Sequence, residues 1–398
     1  MNLFKKLYCR TYQTIFKLAI PFMPYKKPII LNEIEELINV IKKEKINDLL
    51  VISGKGITEG SFFIELTNEL TVNNVNYYVY DKINTNPTDI EVEETKRIYL
   101  KKNLKGIIAV GGGSAMDLAK ATGALVVKPN KRINQLKGLL KIRKKLPFMC
   151  LIPTTAGSGS EVTVTAVITD SKTHIKYTIN DFNLVPKYTL LNSKTISTLP
   201  FNMVTTTGLD ALTHAVEAYI GKSKTNETKE AAVEAISLII NNIEEAAFNP
   251  TNLEAKKNML HASYLAGIAF SKSYVGYVHA VSHSISGRYN TPHGYANAVI
   301  LPVVLKIYGK SIYKTMGKLL KQINFVDQKV SNKEATIYFI EWLETLYKKF
   351  NIPNKINDLK EEDIEYLASL ADKEANPLYP VPVLFDKKEL MKIYNELL

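Results

Sequence analysis

The 398 residues are 46% hydrophobic and 23% charged, the balance of an ordinary globular protein with material for two cores. The formal charge of +12 is local: residues 1–32 carry six Lys or Arg, residues 118–160 carry nine, and neither segment has an acid. No nucleic-acid-binding motif accompanies them, so solvated basic surface is expected and nucleic acid is not a partner. Two cysteines, Cys9 and Cys150, exclude a disulfide framework and a thiolate metal site, and they suit a reducing cytoplasm.

Residues 1–30 form a basic lead segment. Phe4, Tyr8, Tyr12, Ile15 and Ala19 fall roughly on one side of a helix. Lys17 breaks the apolar run, Pro21 ends it, and no small-residue cleavage site follows, so neither a secretory signal nor a spanning helix is expected. A helix packed on the body is the default, without firm membrane association; weak attachment to anionic lipid is the lesser reading.

From residue 31 to 200, helices alternate with short apolar strands. Asn32 to Lys43, Phe62 to Leu70 and Glu91 to Lys102 read as helices. Asp48 to Ser53, Val75 to Tyr80, Gly106 to Val110, Met149 to Pro153 and Val162 to Thr169 read as strands. That alternation predicts an α/β dinucleotide-binding domain with a parallel sheet. After Leu199-Pro200 the texture changes to long helical segments, including Glu227 to Ala247, Leu253 to Phe270 and Lys333 to Lys349. Residues 201–398 are expected to form an all-helical domain, with the chemistry in a cleft between the two.

Two stretches of that second half hold four of the six histidines. Asp210 and His214 are four apart in a helical pattern, so both leave one face and can meet one ion. His279, His283 and His293 follow in a second stretch, and spacing leaves all three open as further ligands. In the first half, Gly106 to Lys120 runs from a strand through three glycines into a helix, a turn whose backbone N–H groups can hold phosphate. Met116 breaks the strict dinucleotide fingerprint, and Lys120 lies too far along for a Walker loop. A second loop, Pro153 to Glu161, follows another strand, and Thr154, Thr155 and Ser158 add hydroxyls. Two such loops in one α/β domain make a dinucleotide the economical ligand.

Taken jointly, Asn86-Pro-Thr, the Gly111 turn, Pro153 to Thr163, Gly208 to Tyr219 and Gly276 to Pro302 resemble the iron-containing (group III) alcohol dehydrogenase family, over roughly residues 30–398. The resemblance implies an α/β nucleotide-binding domain followed by an all-α domain, the architecture shared with dehydroquinate synthase. It implies Asp210, His214, His279 and His293 as ligands of Fe²⁺ or Zn²⁺. His283 then falls beside the metal as a proton relay, and His174 and His261 match no ligand position. It places Asn86, Pro87, Gly112, Gly113, Ser114, Asp117, Thr154, Thr155, Ser158, Thr163 and Lys176 around NAD(P)(H), and Phe270 on the substrate wall. The implied reaction is hydride transfer between nicotinamide C4 and a small alcohol or aldehyde, with the metal as Lewis acid. A homodimer is the expected assembly.

One position departs from the family pattern. Many members carry Asp after the strand that here ends Val51-Ile-Ser, where it would accept the ribose hydroxyls. This chain has Gly54, followed by Lys55. Loss of that carboxylate removes the barrier to a 2′-phosphate, which Ser53 or Lys55 is expected to bind, so use of NADP(H) is expected. Competing readings are a glycerol dehydrogenase-like or dehydroquinate synthase-like enzyme, or a non-catalytic nucleotide- or metal-binding protein.

Overall fold

Apolar runs too uniform for a half-solvated strand are what a sheet covered on both faces requires, and here they build one. A computed structural model describes all 398 residues, which gather into two compact units. One comprises Pro24–Pro200 with Glu244–Gly267; the other comprises Met1–Met23, Phe201–Ile243 and Ile268–Leu398.

The α/β unit carries all nine strands. They are β1 (Ile29–Leu31), β2 (Asp48–Ser53), β3 (Asn76–Tyr80), β4 (Gly106–Gly111), β5 (Gly138–Leu139), β6 (Phe148–Pro153), β7 (Thr165–Thr169), β8 (Lys176–Asn180) and β9 (Tyr188–Leu190). Six form a parallel sheet in the order β1-β9-β6-β4-β2-β3. Its pleat sends Leu50, Ile52, Ile107, Ala109 and Met149 into one core, and Leu49, Val51, Ile108, Val110 and Cys150 into the other. The remaining strands form a small sheet, β5-β8-β7, in which β7 and β8 are antiparallel.

The helices are α1 (Leu3–Ala19), α2 (Ile34–Lys43), α3 (Lys55–Thr58), α4 (Ser61–Val72), α5 (Asp89–Lys101) and α6 (Gly113–Val127). After the sheet come α7 (Phe201–Ile220), α8 (Asn226–Phe248), α9 (Leu253–Ser273), α10 (Tyr277–Tyr289) and α11 (His293–Tyr308). The last four are α12 (Lys310–Gln322), α13 (Asn332–Lys349), α14 (Ile364–Ala375) and α15 (Lys387–Leu397). α5 begins at Asp89 rather than Glu91 because a Thr88–Glu91 capping box satisfies its first N–H groups.

Two expectations about charge and amphipathicity change. The basic stretch 118–160 is not wholly solvated: Lys131 to Lys145 carry exposed cations, but Lys120, on α6, is fully buried. Its Nζ donates to Thr163 O, Thr163 Oγ1 and Thr165 O at 2.9–3.0 Å. Burial pulls this ammonium down to about 8, opposed by Asp117 and Glu161. α1 does pack, but through Cys9, Gln13 and Ile20, while Phe4, Tyr8 and Ile15 face outward. Its polar arc finds main-chain partners: Gln13 Nε2 donates to Pro377 O and Tyr379 O, and Arg10 donates to Val381 O and Pro382 O. No helix is long and apolar enough to cross a membrane.

Candidate metal centre and nucleotide turns

Three helices of the second unit contribute the metal candidates. α7 presents Asp210 and His214 one turn apart, α10 presents His279, and α11 opens on His293. One ligand atom from each lies within 4.8 Å of the others; three of the residues are buried and His293 is half-buried. α11 can start this close to α7 only because residue 294 is glycine, since a Cβ there would stand 2.8 Å from Thr206 O.

His279 is held by a group that spacing did not single out. Glu217 Oε2 lies 2.6 Å from His279 Nδ1 and accepts the Gly276 N–H at 2.7 Å; Oε1 accepts the Val278 N–H at 2.8 Å. A carboxylate acceptor fixes the proton on Nδ1 and leaves the Nε2 lone pair toward the other ligands. Burial, with His214, His293 and His283 adding to it, drives His279 well below its ordinary pKa, so it is neutral. Burial pushes the Glu217 carboxyl up to about 7, opposed by the N–H groups of Gly276 and Val278 and by His279. Gly276 is required here too: a Cβ would meet Glu217 Oε1 at 2.6 Å. A signal existed, for Asp210, His214 and Glu217 are spaced i, i+4, i+7 on one helical stripe.

Asn297, one turn beyond His293, is the second residue that sequence reasoning missed. Its Nδ2 donates to Asp210 Oδ1 at 2.7 Å and lies 3.2 Å from His279 Nε2 and 3.0 Å from His293 Nε2. Three acceptors therefore converge on one electropositive group, as they would on a cation. One carboxylate with three imidazoles suits Fe²⁺ or Zn²⁺ by donor type.

His283 is not part of this convergence. Its Nδ1 lies 2.6 Å from Glu374 Oε1, which also accepts the Tyr379 hydroxyl at 2.6 Å, and its ring stacks 5.1 Å from His293. Burial alone would raise the Glu374 carboxyl, but His283 and the Tyr379 hydroxyl hold it below its usual range. With its side chain 43% exposed, His283 meets water on one side and the His279 and His293 rings on the other. Phe270 stacks on His214 at 4.2 Å and 14°, so it faces the cluster and is not core filling. His174 sits in the β7–β8 turn, and His261 sits on α9 beside Tyr264.

In the α/β unit the two glycine loops meet. They follow the neighbouring strands β4 and β6, and Thr154 N donates to Gly111 O at 3.0 Å. A Cβ on Gly112 would lie 3.4 Å from Thr155 Oγ1, and one on Gly113 would lie 3.2 Å from Ser158 Oγ. Gly54 follows the adjacent strand β2, and between β2 and β4 the crossovers run in opposite directions, the usual ligand position in such sheets. Ser114 Oγ donates to Thr85 O beside Asn86, while Pro87 O accepts the Thr169 N–H. Lys55 and Lys176 are exposed.

Three expected cofactor contacts are otherwise engaged. Ser53 is buried and donates to Val110 O at 2.8 Å, so its hydroxyl proton is already committed. Asp117 accepts from Ser160 Oγ and Val167 N, tying the second loop and β7 to α6. Thr163 is buried with its hydroxyl on Lys120 Nζ.

Comparison with known proteins agrees with this geometry. Residues 29–193 match the model of iron-containing alcohol dehydrogenase, and residues 204–398 match that of the Fe-containing alcohol dehydrogenase family, C-terminal. The chain belongs to the iron-containing alcohol dehydrogenase family. Among similar members, the 1,3-propanediol dehydrogenase of Citrobacter freundii is 32% identical over 96% of this chain and 98% of its own length. The NADPH-dependent butanol dehydrogenase of Clostridium saccharobutylicum is 30% identical over 86% and 87%. The solved structure of a 1,3-propanediol oxidoreductase superposes with a TM-score of 0.88 at 29% identity, covering 94% of this chain and 99% of its own. The expected oxidoreductase class, parallel α/β portion and mostly helical remainder are borne out.

Proposed function

We propose that the enzyme interconverts small alcohols and aldehydes with NADP(H) as its preferred cofactor, using a divalent metal held by Asp210, His214, His279 and His293. The observation that carries this reading is the convergence of those four side chains to within 4.8 Å, with His279 fixed in a ligand-competent tautomer by Glu217. When bound, the metal supplies Lewis-acid stabilisation of charge on the substrate oxygen and the nicotinamide supplies or takes the hydride.

The chain's own residues do the rest. Phe270, stacked on His214, offers an apolar wall to the alkyl part of the substrate. His283 passes the alcohol proton toward water, and Glu374, itself held by Tyr379, steadies the imidazole as its charge changes. Residues 31–200 serve as the nucleotide half and 201–398 as the metal and substrate half. The facing turns at Gly112–Ser114 and Thr154–Ser158, with Asn86 and Pro87 beside them, are read as the pyrophosphate seat at the α6 N-terminus. Lys55 takes the 2′-phosphate that an Asp at position 54 would repel, and Lys176 is a further cofactor contact. We read the enzyme as a homodimer of the reducing cytoplasm; both cysteines are buried free thiols.

Anaerobic assay with Fe²⁺ or Zn²⁺ and NADPH over a panel of aldehydes tests the reading. Activity is expected to vanish with chelator and in Asp210→Ala. Activity surviving both refutes the metal site, and a strong NADH preference refutes the cofactor assignment.

A further inference from the structure

A helix on a protein surface normally turns its apolar stripe to the core, and α1 does the reverse. At 100° per residue, Leu3, Phe4, Leu7, Tyr8, Ile15 and Leu18 share one arc, and each is between 56% and 83% exposed. The opposite arc is the docked one, held by Cys9 and Ile20 and by polar contacts from Gln13, Arg10 and Lys5. Docking through the polar arc leaves the apolar arc outward. Exposed Lys6 and Lys17 share the stripe of Arg10 and Gln13 beyond the Leu3 edge of that arc, exposed Lys26 and Lys27 follow the helix in sequence, and residues 1–32 contain no acid. Both family matches begin beyond this helix, at residues 29 and 204.

We propose that α1 is a peripheral membrane anchor, laying its apolar arc into the interfacial layer of an anionic bilayer with the cations of residues 1–32 drawn to the headgroups. An α-helix satisfies its own backbone, so the arc can enter that layer without stranding polar groups. Long lysine side chains can reach the headgroups from the polar side of such a helix while their ammonium groups stay in water. Charge selects lipid over a second copy of the chain. Residues 1–32 carry six cations and no acid, so a second copy of the same segment repels it, whereas anionic headgroups neutralise it. No helix here can span the bilayer, so the attachment lies in its surface.

The test uses full-length protein and vesicles of phosphatidylcholine, alone or mixed with phosphatidylserine. One variant, Phe4→Ser/Leu7→Gln/Ile15→Gln/Leu18→Gln, removes the apolar arc and keeps every docked residue. A second, Lys6→Gln/Lys17→Gln, removes its cations. The parent is expected to sediment with phosphatidylserine vesicles, more at low salt than at high. The apolar variant is expected to lose about tenfold or more in partition coefficient at an unchanged melting temperature. The charge variant is expected to fall to the level seen with phosphatidylcholine alone. Parent protein that ignores vesicles, or an apolar variant that binds as well as the parent, overturns the proposal. An apolar variant that binds vesicles normally but shifts to a smaller species in light scattering also overturns it, and assigns the arc to a second copy.

Discussion

Glu217→Gln preserves length while removing one acceptor and the charge behind His279. Glu217 Oε2 serves Gly276 N–H and His279 Nδ1–H, and Oε1 serves Val278 N–H. An amide has one oxygen. Set at the Oε2 position, it keeps two bonds and turns its NH₂ group against the Val278 N–H, stranding one buried donor at a cost of about 1–3 kcal/mol. The reverse placement loses the Gly276 bond and moves the His279 proton onto Nε2, the atom needed for a metal, so the first placement prevails. The imidazole then keeps its tautomer but loses the carboxylate that makes it a better donor, an effect of about 10–100-fold on metal affinity. Competition titration of Zn²⁺ against a chromophoric chelator measures the affinity, and a thermal melt of metal-stripped protein measures the stability. Zn²⁺ affinity within a factor of about two of the parent refutes the assigned role of Glu217.

His283→Gln is expected to lower kcat by about tenfold or more and flatten its pH profile, with Glu374→Gln flattening it at smaller loss; an unchanged profile in both removes the relay. Gly54→Asp adds a Cβ that makes only ordinary contacts, 3.8 Å from Ile83 and 3.9 Å from Ile57. It should lower kcat/KM for NADPH by about 10–100-fold and spare NADH, and parallel losses for both cofactors refute the reading of position 54. Burial raises the Glu161 carboxyl from its ordinary 4.5 to about 7, so the native state keeps a proton that the unfolded chain releases between those values. That contribution to stability is therefore lost as pH rises through about 7. Glu161→Gln should raise the melting temperature at about pH 8 and leave it nearly unchanged at about pH 4; equal effects at both exclude the buried acid as the cause.

The central strands were legible because both faces of the sheet are covered, which makes Leu49–Ile52, Ile107–Val110 and Met149–Ile152 unbroken apolar runs. β1 and β9, three residues each, are too short to show any period; β9 is defined by pairing with β6 and β1, and β1 by pairing with β9. Periodicity put Asp210 and His214 together, but Glu217 meets its partners 59 to 62 residues downstream, a distance no local pattern spans. The hydroxyls of Ser53 and Thr163 illustrate the same limit. Their residue types suit phosphate, and only the third dimension shows them facing Val110 O and Lys120. Amphipathicity revealed that α1 has two faces; which one docks was decided by main-chain carbonyls at 377–382.

Those carbonyls also set an order of events during synthesis. α1 is made well before its seat: Lys5 precedes Asp372 by 367 residues, and Gln13 precedes the Tyr379 carbonyl by 366. Until then the cationic segment and its apolar residues wait without that seat. On the anchoring proposed above, a nascent chain stalled before residue 372 would carry its lipid-binding segment while the helices of the second unit were still assembling, so the growing polypeptide would meet a membrane before it becomes an enzyme.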